Sequence, residues 1–142
     1  LVFLTAEFYS DYAVCKEIER KKDRPHACAT FLIDGLLCCV PVRSHLKHSY
    51  AIWTDEANHC GLDFSKTVVI LDAERYIDNT RRPHLRQNEF DVFINITAHD
   101  MQTAMNRYLT QYKRAKKRPD VLRNAQFLKC SCLQYFEELI GI

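Results

Sequence analysis

The sequence predicts an α+β domain, in which an antiparallel sheet in the first half of the chain is combined with helices. The first observation is a hairpin: residues 27–33 and 36–42 form two apolar strands around Asp34-Gly35, a dipeptide suited to a two-residue turn with positive φ. The second is a long amphipathic helix after Thr97. The length of 142 residues fits a single domain over 1–142 with a real hydrophobic core.

Three further segments have the pattern of strands. Residues 1–4 and 50–54 are short and apolar. Residues 66–71 are β-branched and nearly continuous in hydrophobicity, which predicts a central strand covered on both faces. Pro41 lacks an N–H donor, so we expect it at an edge or at the end of its strand. Residues 72–89 give no clear pattern but leave room for one more strand.

Helices are predicted where a capping residue precedes apolar periodicity. Thr5 is the expected N-cap of a first helix with an apolar face from Phe8 to Cys15. Thr97 is the expected N-cap of the long helix, with Asp100 three residues later. The core-facing stripe of the long helix comprises Met101, Ala104, Met105, Tyr108, Leu109 and Tyr112.

Two signals delimit the C-terminal helices. Pro119 should interrupt the long helix, because proline disfavours helical structure in the residue before it. A last helix is predicted from the capping-box pattern of Ser131 to Gln134. Its apolar face comprises Leu133, Phe136, Leu139 and Ile140.

Positive charge is unevenly distributed along the chain. The formal net charge is only +2, but between residues 107 and 129 the sole acidic residue is Asp120. This basic stretch is either an RNA-facing stripe or the solvated face of a helix. Its basic members are Arg107, Lys113, Arg114, Lys116, Lys117, Arg118, Arg123 and Lys129.

Composition argues against several classes of protein. Seven cysteines are an odd number without a CxxC pair, which favours reduced, mostly core thiols over a disulfide framework. No metal site and no cofactor is predicted, because the ligand spacing of a zinc site is not evident. No apolar run reaches the roughly 18 residues that span a bilayer, and no secretory signal is recognisable, so we expect a cytoplasmic protein without a membrane partner.

The stretch Arg43-Ser44-His45-Leu46-Lys47-His48 is the strongest candidate for a functional site. It follows the predicted hairpin, so it should emerge from a strand onto a loop, where catalytic and binding groups are often found. Two fixed cations, two imidazoles and a hydroxyl lie in this loop. Because the loop contains no acidic residue, we expect it to present unopposed positive charge, which suits RNA phosphates.

These residue types match the needs of RNA cleavage without a metal. The 2′-hydroxyl attacks the adjacent phosphate and leaves a cyclic phosphate, so the protein must orient the attacking oxygen, transfer protons and stabilise charge. His45 and His48 titrate near neutrality and suit the proton transfers. Lys47 and Arg43 supply fixed charge, and Ser44 supplies a hydrogen bond.

The residues alone leave three alternatives open. In the first alternative, the loop is only a basic surface segment with an incidental serine. In the second, the chain is a non-catalytic RNA-binding module that uses the same loop and helix to bind phosphates. In the third, the chain is a small zinc-dependent enzyme, which would lose its activity in a chelator.

Motifs along nearly the whole chain favour the ribonuclease. The N-terminal half contributes Phe3-Leu4-Thr5, Phe8-Tyr9, Arg24-Pro25, Ile33-Asp34-Gly35-Leu36, Pro41-Val42 with the loop, and Gly61-Leu62-Asp63-Phe64-Ser65-Lys66. The C-terminal half contributes Arg86-Gln87-x-Glu89-Phe90, the basic helix, and Leu133-Gln134-Tyr135-Phe136. With these motifs the chain resembles the toxins of bacterial type III toxin–antitoxin systems, the ToxN/AbiQ-like endoribonucleases, and most closely the TenpIN branch.

The resemblance implies a fold and an activity. The fold would be similar to that of the Kid/MazF toxins, with a twisted, partly rolled antiparallel sheet surrounded by helices. The activity would be sequence-selective cleavage of single-stranded cellular or phage mRNA to a 2′,3′-cyclic phosphate and a 5′-hydroxyl. The toxin would process its own repeat-derived antitoxin RNA and be inhibited by it in a closed toxin–RNA assembly, in a setting of growth arrest or phage defence.

The resemblance also implies roles for individual residues. Ser44 and Lys47 match the catalytic hydroxyl and lysine of the family's loop, and Tyr9 matches an active-site tyrosine after the first strand. The ToxN branch carries Thr-Ser-Pro-Lys here, so this loop departs from it in its arginine and histidines, and its lysine lies one residue later. The proton acceptor stays open between His48, His45 and a hydroxyl–lysine pair working with a tyrosine. The candidate catalytic set is Tyr9, Arg43, Ser44, Lys47 and His48.

The remaining candidate positions are basic and are expected to bind RNA. Arg24 and His26 lie in a connector that lines the RNA groove in relatives. The other positions extend the positive surface. The candidate RNA-binding set is Arg24, His26, His45, Lys66, Arg86, Lys113, Lys116, Lys117 and Arg123.

Overall fold

The computed structural model describes residues 1–18 and 26–142 of the chain. Within these ranges the fold is α+β, as predicted: a curled antiparallel β-sheet forms a half-barrel and is accompanied by several helices. No helix in the described ranges is long and apolar enough to cross a bilayer. The predicted connector residue Arg24 lies outside the described residues.

The sheet is organised around its longest strand, β3 (Leu36–Arg43). On one side β3 pairs with β2 (Cys28–Ile33). On its other side β3 pairs near its start with β6 (Val68–Val69) and at its end with β5 (Cys60–Asp63). The outer strand β4 (Ala51–Asp55) gives the antiparallel order β2-β3-β5-β4. The candidate loop thus leaves the sheet from its central strand.

The predicted hairpin between β2 and β3 is confirmed. Ile33 pairs with Leu36 across a turn in which Asp34 and Gly35 have φ values of 48° and 81°. Aspartate tolerates the left-handed region and glycine has no Cβ to oppose it, so this dipeptide fits the turn. The turn sets the register that carries Arg43 to the end of β3.

Pro41 does not lie where the sequence analysis expected it. It is buried within the central strand β3 and pairs with Cys28, so the prediction of an edge or strand end was wrong. The second partner of β3 changes here, because Cys39 pairs with β6 and Val42 with β5. Pro41 lies between these two pairings, where a missing N–H donor interrupts neither of them.

The segment 66–71 is buried but forms less strand than predicted. Residues 67–70 are buried, yet β6 pairs with β3 alone in the described part of the chain. The residues before β6 form a 3₁₀ turn at Phe64–Lys66, in which the side chain of Asp63 accepts the N–H of Ser65. This cap keeps the start of the segment out of the sheet, so the prediction of a central strand was wrong.

The first strand belongs to a second, two-stranded sheet. β1 (Phe3–Leu4) pairs antiparallel with β7 (Ile77–Asp78), which follows α2 (Ala73–Tyr76). β7 is the additional strand for which the sequence left room. The backbone of Val2 also bonds to that of Cys28 in β2 at 2.9 Å, which ties the two sheets together.

Thr5 caps α1 (Ala6–Asp11), as predicted, and its hydroxyl accepts a backbone N–H of the first turn at 3.3 Å. The helix ends at Asp11, so its apolar face does not extend to Cys15, and that part of the prediction was wrong. The carboxylate of Asp11 accepts the hydroxyl of Tyr76 in α2 at 2.7 Å. This contact fixes the end of α1 against its neighbour.

The long helix α4 (Ala98–Lys117) confirms the prediction. Thr97 and Asp100 form a capping box, in which each side chain accepts the backbone N–H of the other. Arg118 is the C-cap, directly before Pro119. Met101, Met105, Tyr108 and Tyr112 of α4 pack in the main core, and Ala115 is also buried.

The C-terminal segment is interrupted where one helix was predicted. Ser131 caps it as expected, but the helix is split into a 3₁₀ turn (Cys132–Tyr135) and α6 (Glu137–Ile140). Phe136 lies at the break and is buried, with its ring 5.6 Å from that of Tyr12, so packing of this ring outweighs helix continuity. Three helices of the described ranges were not predicted, α2, α3 (Gln87–Phe93) and α5 (Leu122–Cys130).

Gly61 in β5 gives a test of how closely β4 and β5 approach. A Cβ at this position would clash with the carbonyl oxygen of Ile52 and lie 2.9 Å from Cα of Trp53, both in β4. Gly61→Ala is expected to lower the free energy of unfolding by about 3 kcal/mol, because backbone must move, and urea denaturation measures the change. Gly35→Ala is the control, with open space but a φ of 81°, and should cost about 1 kcal/mol. Equal losses in the two variants would contradict the close approach.

Candidate functional site

Asp63, the last residue of β5, is the buried centre of the candidate site. Its side chain is 1% exposed. Oδ2 accepts a hydrogen bond from Nη1 of Arg43 at 2.9 Å, and Oδ1 lies 3.0 Å from Nε2 of His48. Ser65 donates its hydroxyl to Oδ1 at 2.5 Å and its backbone N–H at 3.0 Å. The first and last residues of the candidate loop therefore meet on one carboxylate.

The expectation that the loop presents unopposed positive charge was wrong. The Asp63 carboxylate pairs with Arg43, which lies 20 residues away along the chain, and also with His48. The β3–β5 pairing places Arg43 opposite Gly61, so the end of β5 is carried to the start of the loop. The six residues of the loop do not contain this partner.

Hydrogen bonds keep Asp63 ionised despite its burial. Burial raises its pKa, but the hydrogen bonds from His48 and Ser65 and the neighbouring positive charges outweigh burial and lower the pKa below the ordinary value. An ionised carboxylate is a stronger hydrogen-bond acceptor than a neutral acid. The charge of Asp63 thus strengthens its hold on both ends of the loop.

The middle of the loop separates inward-facing from outward-facing residues. Leu46 is buried, and its backbone N–H bonds to the carbonyl of His59 at 3.0 Å. His45 has a φ of 59°, so the chain turns sharply before Leu46. Ser44, His45 and Lys47 are exposed. The candidate hydroxyl, one imidazole and the lysine are therefore available at the surface of an anchored turn.

The far end of the loop is held by the long helix. The backbone N–H of Tyr50 donates to Nδ1 of His48 at 3.0 Å. Arg107 of α4 donates to the carbonyl oxygen of Ser49 at 2.7 Å and to its hydroxyl at 2.9 Å. The guanidinium of Arg107 also lies 4.5 Å from the ring centre of Tyr50, within range of a cation–π interaction. Arg107 thus faces the loop, although it belongs to the predicted basic stretch.

A pocket beside the loop brings together four predicted site residues, namely Tyr9, His26, Arg43 and Lys66. It lies between the N-terminal segment and β3 and is open to solvent. Much of its lining is apolar, and Glu17 adds a carboxylate. Cationic and titratable groups on an apolar wall are suited to a nucleotide, which has both a phosphate and a base.

The polar residues of this pocket have fixed positions. Lys66 Nζ donates to Oε2 of Glu17 at 3.1 Å and to the carbonyl oxygen of Cys130 at 2.8 Å. Nδ1 of His26 lies 3.2 Å from a backbone carbonyl oxygen of β3. The ring of Tyr9 packs edge-on against a buried phenylalanine of α1. The charge of Lys66 is therefore partly compensated by Glu17.

The other predicted RNA-binding residues do not line this pocket in the described part of the chain. Arg86 is the N-cap of α3, which contacts β4. Lys113 and Lys117 are exposed near the end of α4, and Arg123 is exposed on α5. Lys116 donates to a glutamate of α6 at 2.7 Å. These residues form positive surfaces separate from the pocket.

Four polar residues of the site were missed by sequence reasoning. Asp63 and Ser65 belong to the motif from Gly61 to Lys66 that carries part of the resemblance, and this motif was the available signal. Arg107 was recognised as basic, but nothing in its local sequence shows that it faces the loop. Glu17 gave no local signal, because its partner Lys66 is distant in sequence.

The cysteines of the described ranges are free thiols. Burial raises the pKa of Cys28 to about 12 and that of Cys38 to about 11, so both thiols stay protonated at neutral pH. In the described ranges no group of three or more histidine, cysteine, aspartate or glutamate side chains is placed to hold a metal ion. The buried thiols are Cys28, Cys38, Cys39 and Cys132.

Comparison with family models, with curated proteins and with solved structures gave no match to this chain. The resemblance to type III toxins therefore stays a hypothesis based on the quoted motifs. Support for a function comes from the contacts, burial and charges of the described residues.

Asp63→Asn tests the buried carboxylate. The variant removes the negative charge that faces Arg43, so the free energy of unfolding at pH 7 should fall by about 3 kcal/mol. Because the folded-state pKa of Asp63 is lowered, its contribution is complete above about pH 5 and is lost as the pH falls through that pKa. Urea denaturation of both proteins at pH 7 and at low pH measures the difference.

Asp120→Asn is the matched control for charge. The side chain of Asp120 is 73% exposed and lies 3.6 Å from Arg118, so this substitution should change stability by less than about 0.5 kcal/mol. A loss in Asp63→Asn that is no larger than that of the control, or that is the same at every pH, would contradict the role given to Asp63.

Proposed function

We propose that this chain is a metal-independent endoribonuclease and the toxin of a bacterial type III toxin–antitoxin system, similar to the TenpIN branch of the ToxN/AbiQ-like toxins. Its half-barrel would correspond to the Kid/MazF-like sheet of those toxins. The observation that carries the proposal is the anchored loop, in which exposed Ser44, His45 and Lys47 lie between two residues bound to Asp63. A neighbouring pocket with Arg43 and an apolar wall supports a nucleotide substrate.

The proposed reaction is transesterification of RNA. The 2′-oxygen forms a bond to phosphorus, the bond from phosphorus to the 5′-oxygen breaks, and no water or metal ion is needed. A protein base takes the proton of the 2′-hydroxyl, and a protein acid gives one to the leaving 5′-oxygen. Lys47 and Arg43 would stabilise the extra negative charge on the phosphate, and Ser44 would hydrogen-bond to one of its oxygens.

Tyr9 would help to position the substrate, because it lines the pocket beside Arg43. The proton acceptor is a choice among His48, His45 and the hydroxyl–lysine pair working with a tyrosine. His45 is exposed on the loop. The choice between the two histidines depends on the hydrogen bonds of His48.

The proposed partners are RNA molecules. Single-stranded cellular or phage mRNA would be the substrate, and a folded, repeat-derived antitoxin RNA would occupy the same surface in a closed toxin–RNA assembly in the cytoplasm. Exposed Arg86, Lys113, Lys117 and Arg123 lie outside the pocket and suit an RNA that extends beyond the cleavage site.

A non-catalytic RNA-binding module is the second candidate. One observation favours it: Arg43 and His48 are both engaged by Asp63, and Lys66 is paired with Glu17. A binder would retain RNA and leave it intact, and it would tolerate loss of Ser44. Cleavage assays separate the two functions.

Cleavage of a long single-stranded RNA in excess EDTA is the direct test. The chain should cut at a short recurrent motif, leaving a cyclic phosphate on the 5′ fragment. Ser44→Ala and Lys47→Ala should each lower the rate about 100-fold or more, since a group that acts on the reacting atoms is removed. Mapping of fragment ends and single-turnover rates gives both results.

Ser10→Ala and Lys16→Ala are the matched controls, because both residues are exposed and lie outside the loop, the pocket lining and the basic stretch. They should cut RNA at the rate of the unchanged protein. Tight binding of RNA without any cleavage, in protein freed of co-purified RNA, would rule out the ribonuclease and support the binding module.

The positive surface of α4 should determine how salt affects binding. Lys113→Gln with Lys117→Gln should weaken binding of an RNA with methylated 2′-hydroxyls, which cannot be cut. The slope of log affinity against log salt should fall by about 0.7 for each phosphate that a lysine no longer neutralises. Lys116→Gln should change the slope less, because its ammonium is bonded to Glu137. An unchanged slope in the double variant would show that the RNA does not cross this surface.

A further inference from the structure

We propose that Asp63 is the positioning residue of the candidate site, and that His48 acts with it to hold the loop and keeps its proton on Nε2 instead of accepting one from RNA. The part that Asp63 and His48 play in cleavage rests on the proposed function. Their hydrogen bonds in the folded chain do not depend on it and can be tested without RNA.

The tautomer of His48 is assigned from its neighbours. The backbone N–H of Tyr50 points at Nδ1 at 3.0 Å, and because an amide N–H only donates, Nδ1 must be the nitrogen without a proton. The proton is then on Nε2, which lies 3.0 Å from Oδ1 of Asp63 and 3.3 Å from Oγ of Ser65. Both ring nitrogens therefore have partners within the protein.

This arrangement does not suit a general base. A base must present an unprotonated nitrogen to the 2′-hydroxyl, within about 3 Å. The unprotonated nitrogen of His48 faces the amide of Tyr50, and the other nitrogen faces a buried carboxylate. Proton transfer from RNA to Nδ1 would require the Tyr50 hydrogen bond to break first.

The same contacts make His48 an effective anchor. Asp63 binds Arg43 at one end of the loop with Oδ2 and His48 at the other end with Oδ1. The hydroxyl of Ser65 also donates to Oδ1 of Asp63. The loop between these ends exposes Ser44, His45 and Lys47. Fixing both ends holds these groups in position before RNA binds, which lowers the cost of reaching a reactive geometry.

It follows that proton transfer belongs to the exposed part of the loop. His45 lies there, and so do Ser44 and Lys47, which form the alternative hydroxyl–lysine pair. The proton acceptor is then either His45 or the hydroxyl–lysine pair working with a tyrosine.

The first experiment reads the tautomer directly. Long-range ¹H–¹⁵N correlation spectra of the protein labelled at its histidines distinguish a protonated from an unprotonated ring nitrogen, and His48→Gln identifies the signal. At neutral pH the Nε2–H form is expected for His48. A spectrum showing the proton on Nδ1, or fast exchange between both tautomers, would overturn the inference whether or not the chain cleaves RNA.

The second experiment separates anchoring from proton transfer. In His48→Gln the amide nitrogen lies near the position of Nε2 and donates to Asp63, but the side chain does not titrate. His48→Gln should lose less than about tenfold in kcat and keep the pH–rate profile, whereas His48→Ala and Asp63→Asn should lose about 100-fold, since the loop is no longer positioned. The affinity for uncleavable RNA should be similar in all of them.

The outcomes are distinct. Equal losses of about 100-fold or more in folded His48→Gln and His48→Ala, with one limb of the pH–rate profile missing, would show that His48 carries a proton. Unchanged kcat in His48→Ala and Asp63→Asn would show that the anchor is dispensable. If the unchanged protein cuts no RNA, the proposed function fails, and the spectra still decide whether His48 is the Nε2–H anchor.

Discussion

The structure depends on a carboxylate that is buried and charged. Removing an ionised aspartate from water is unfavourable unless hydrogen bonds and positive charge replace the solvent. For Asp63 the replacements come from the end of β3, the end of the candidate loop and the 3₁₀ turn after β5. None of these segments satisfies the carboxylate alone. The strand pairing, the loop and the turn therefore stabilise one another, and the site forms as part of the fold.

This constraint divides the loop into two sets of residues with different environments. Three residues of the loop face the protein. Arg43 is paired with the Asp63 carboxylate, Leu46 is buried, and His48 accepts the backbone N–H of Tyr50. Ser44 and Lys47 face solvent. Arg107 extends the inner set, because its guanidinium reaches from α4 to the residue after the loop. Rigid inner residues and accessible outer ones are the arrangement that an active site on a loop requires.

Patterns of neighbouring residues were sufficient where the contacts themselves are local. The hairpin was predicted from Asp34-Gly35 and α4 from its capping box and stripe, since both depend on interactions within one turn. The sequence also located the loop by its composition. It could not show that Asp63 lies beneath the loop, because that contact depends on the β3–β5 pairing. The break at Phe136 was missed for a similar reason, because it depends on packing of Phe136 against the ring of Tyr12 at the end of α1, far away in sequence.

Lys66 joins parts of the chain that are synthesised at different times. It bonds to Glu17, 49 residues earlier, and to the carbonyl of Cys130, 64 residues later. The thiol of Cys132 donates to the carbonyl of Glu17 at 3.2 Å, so the earliest and latest walls of the pocket touch. A chain still growing on the ribosome lacks α5 and the turn after it, and so lacks one wall of the pocket. The pocket is therefore complete only after the segment up to Cys132 has been synthesised and has folded back against Glu17 and Lys66.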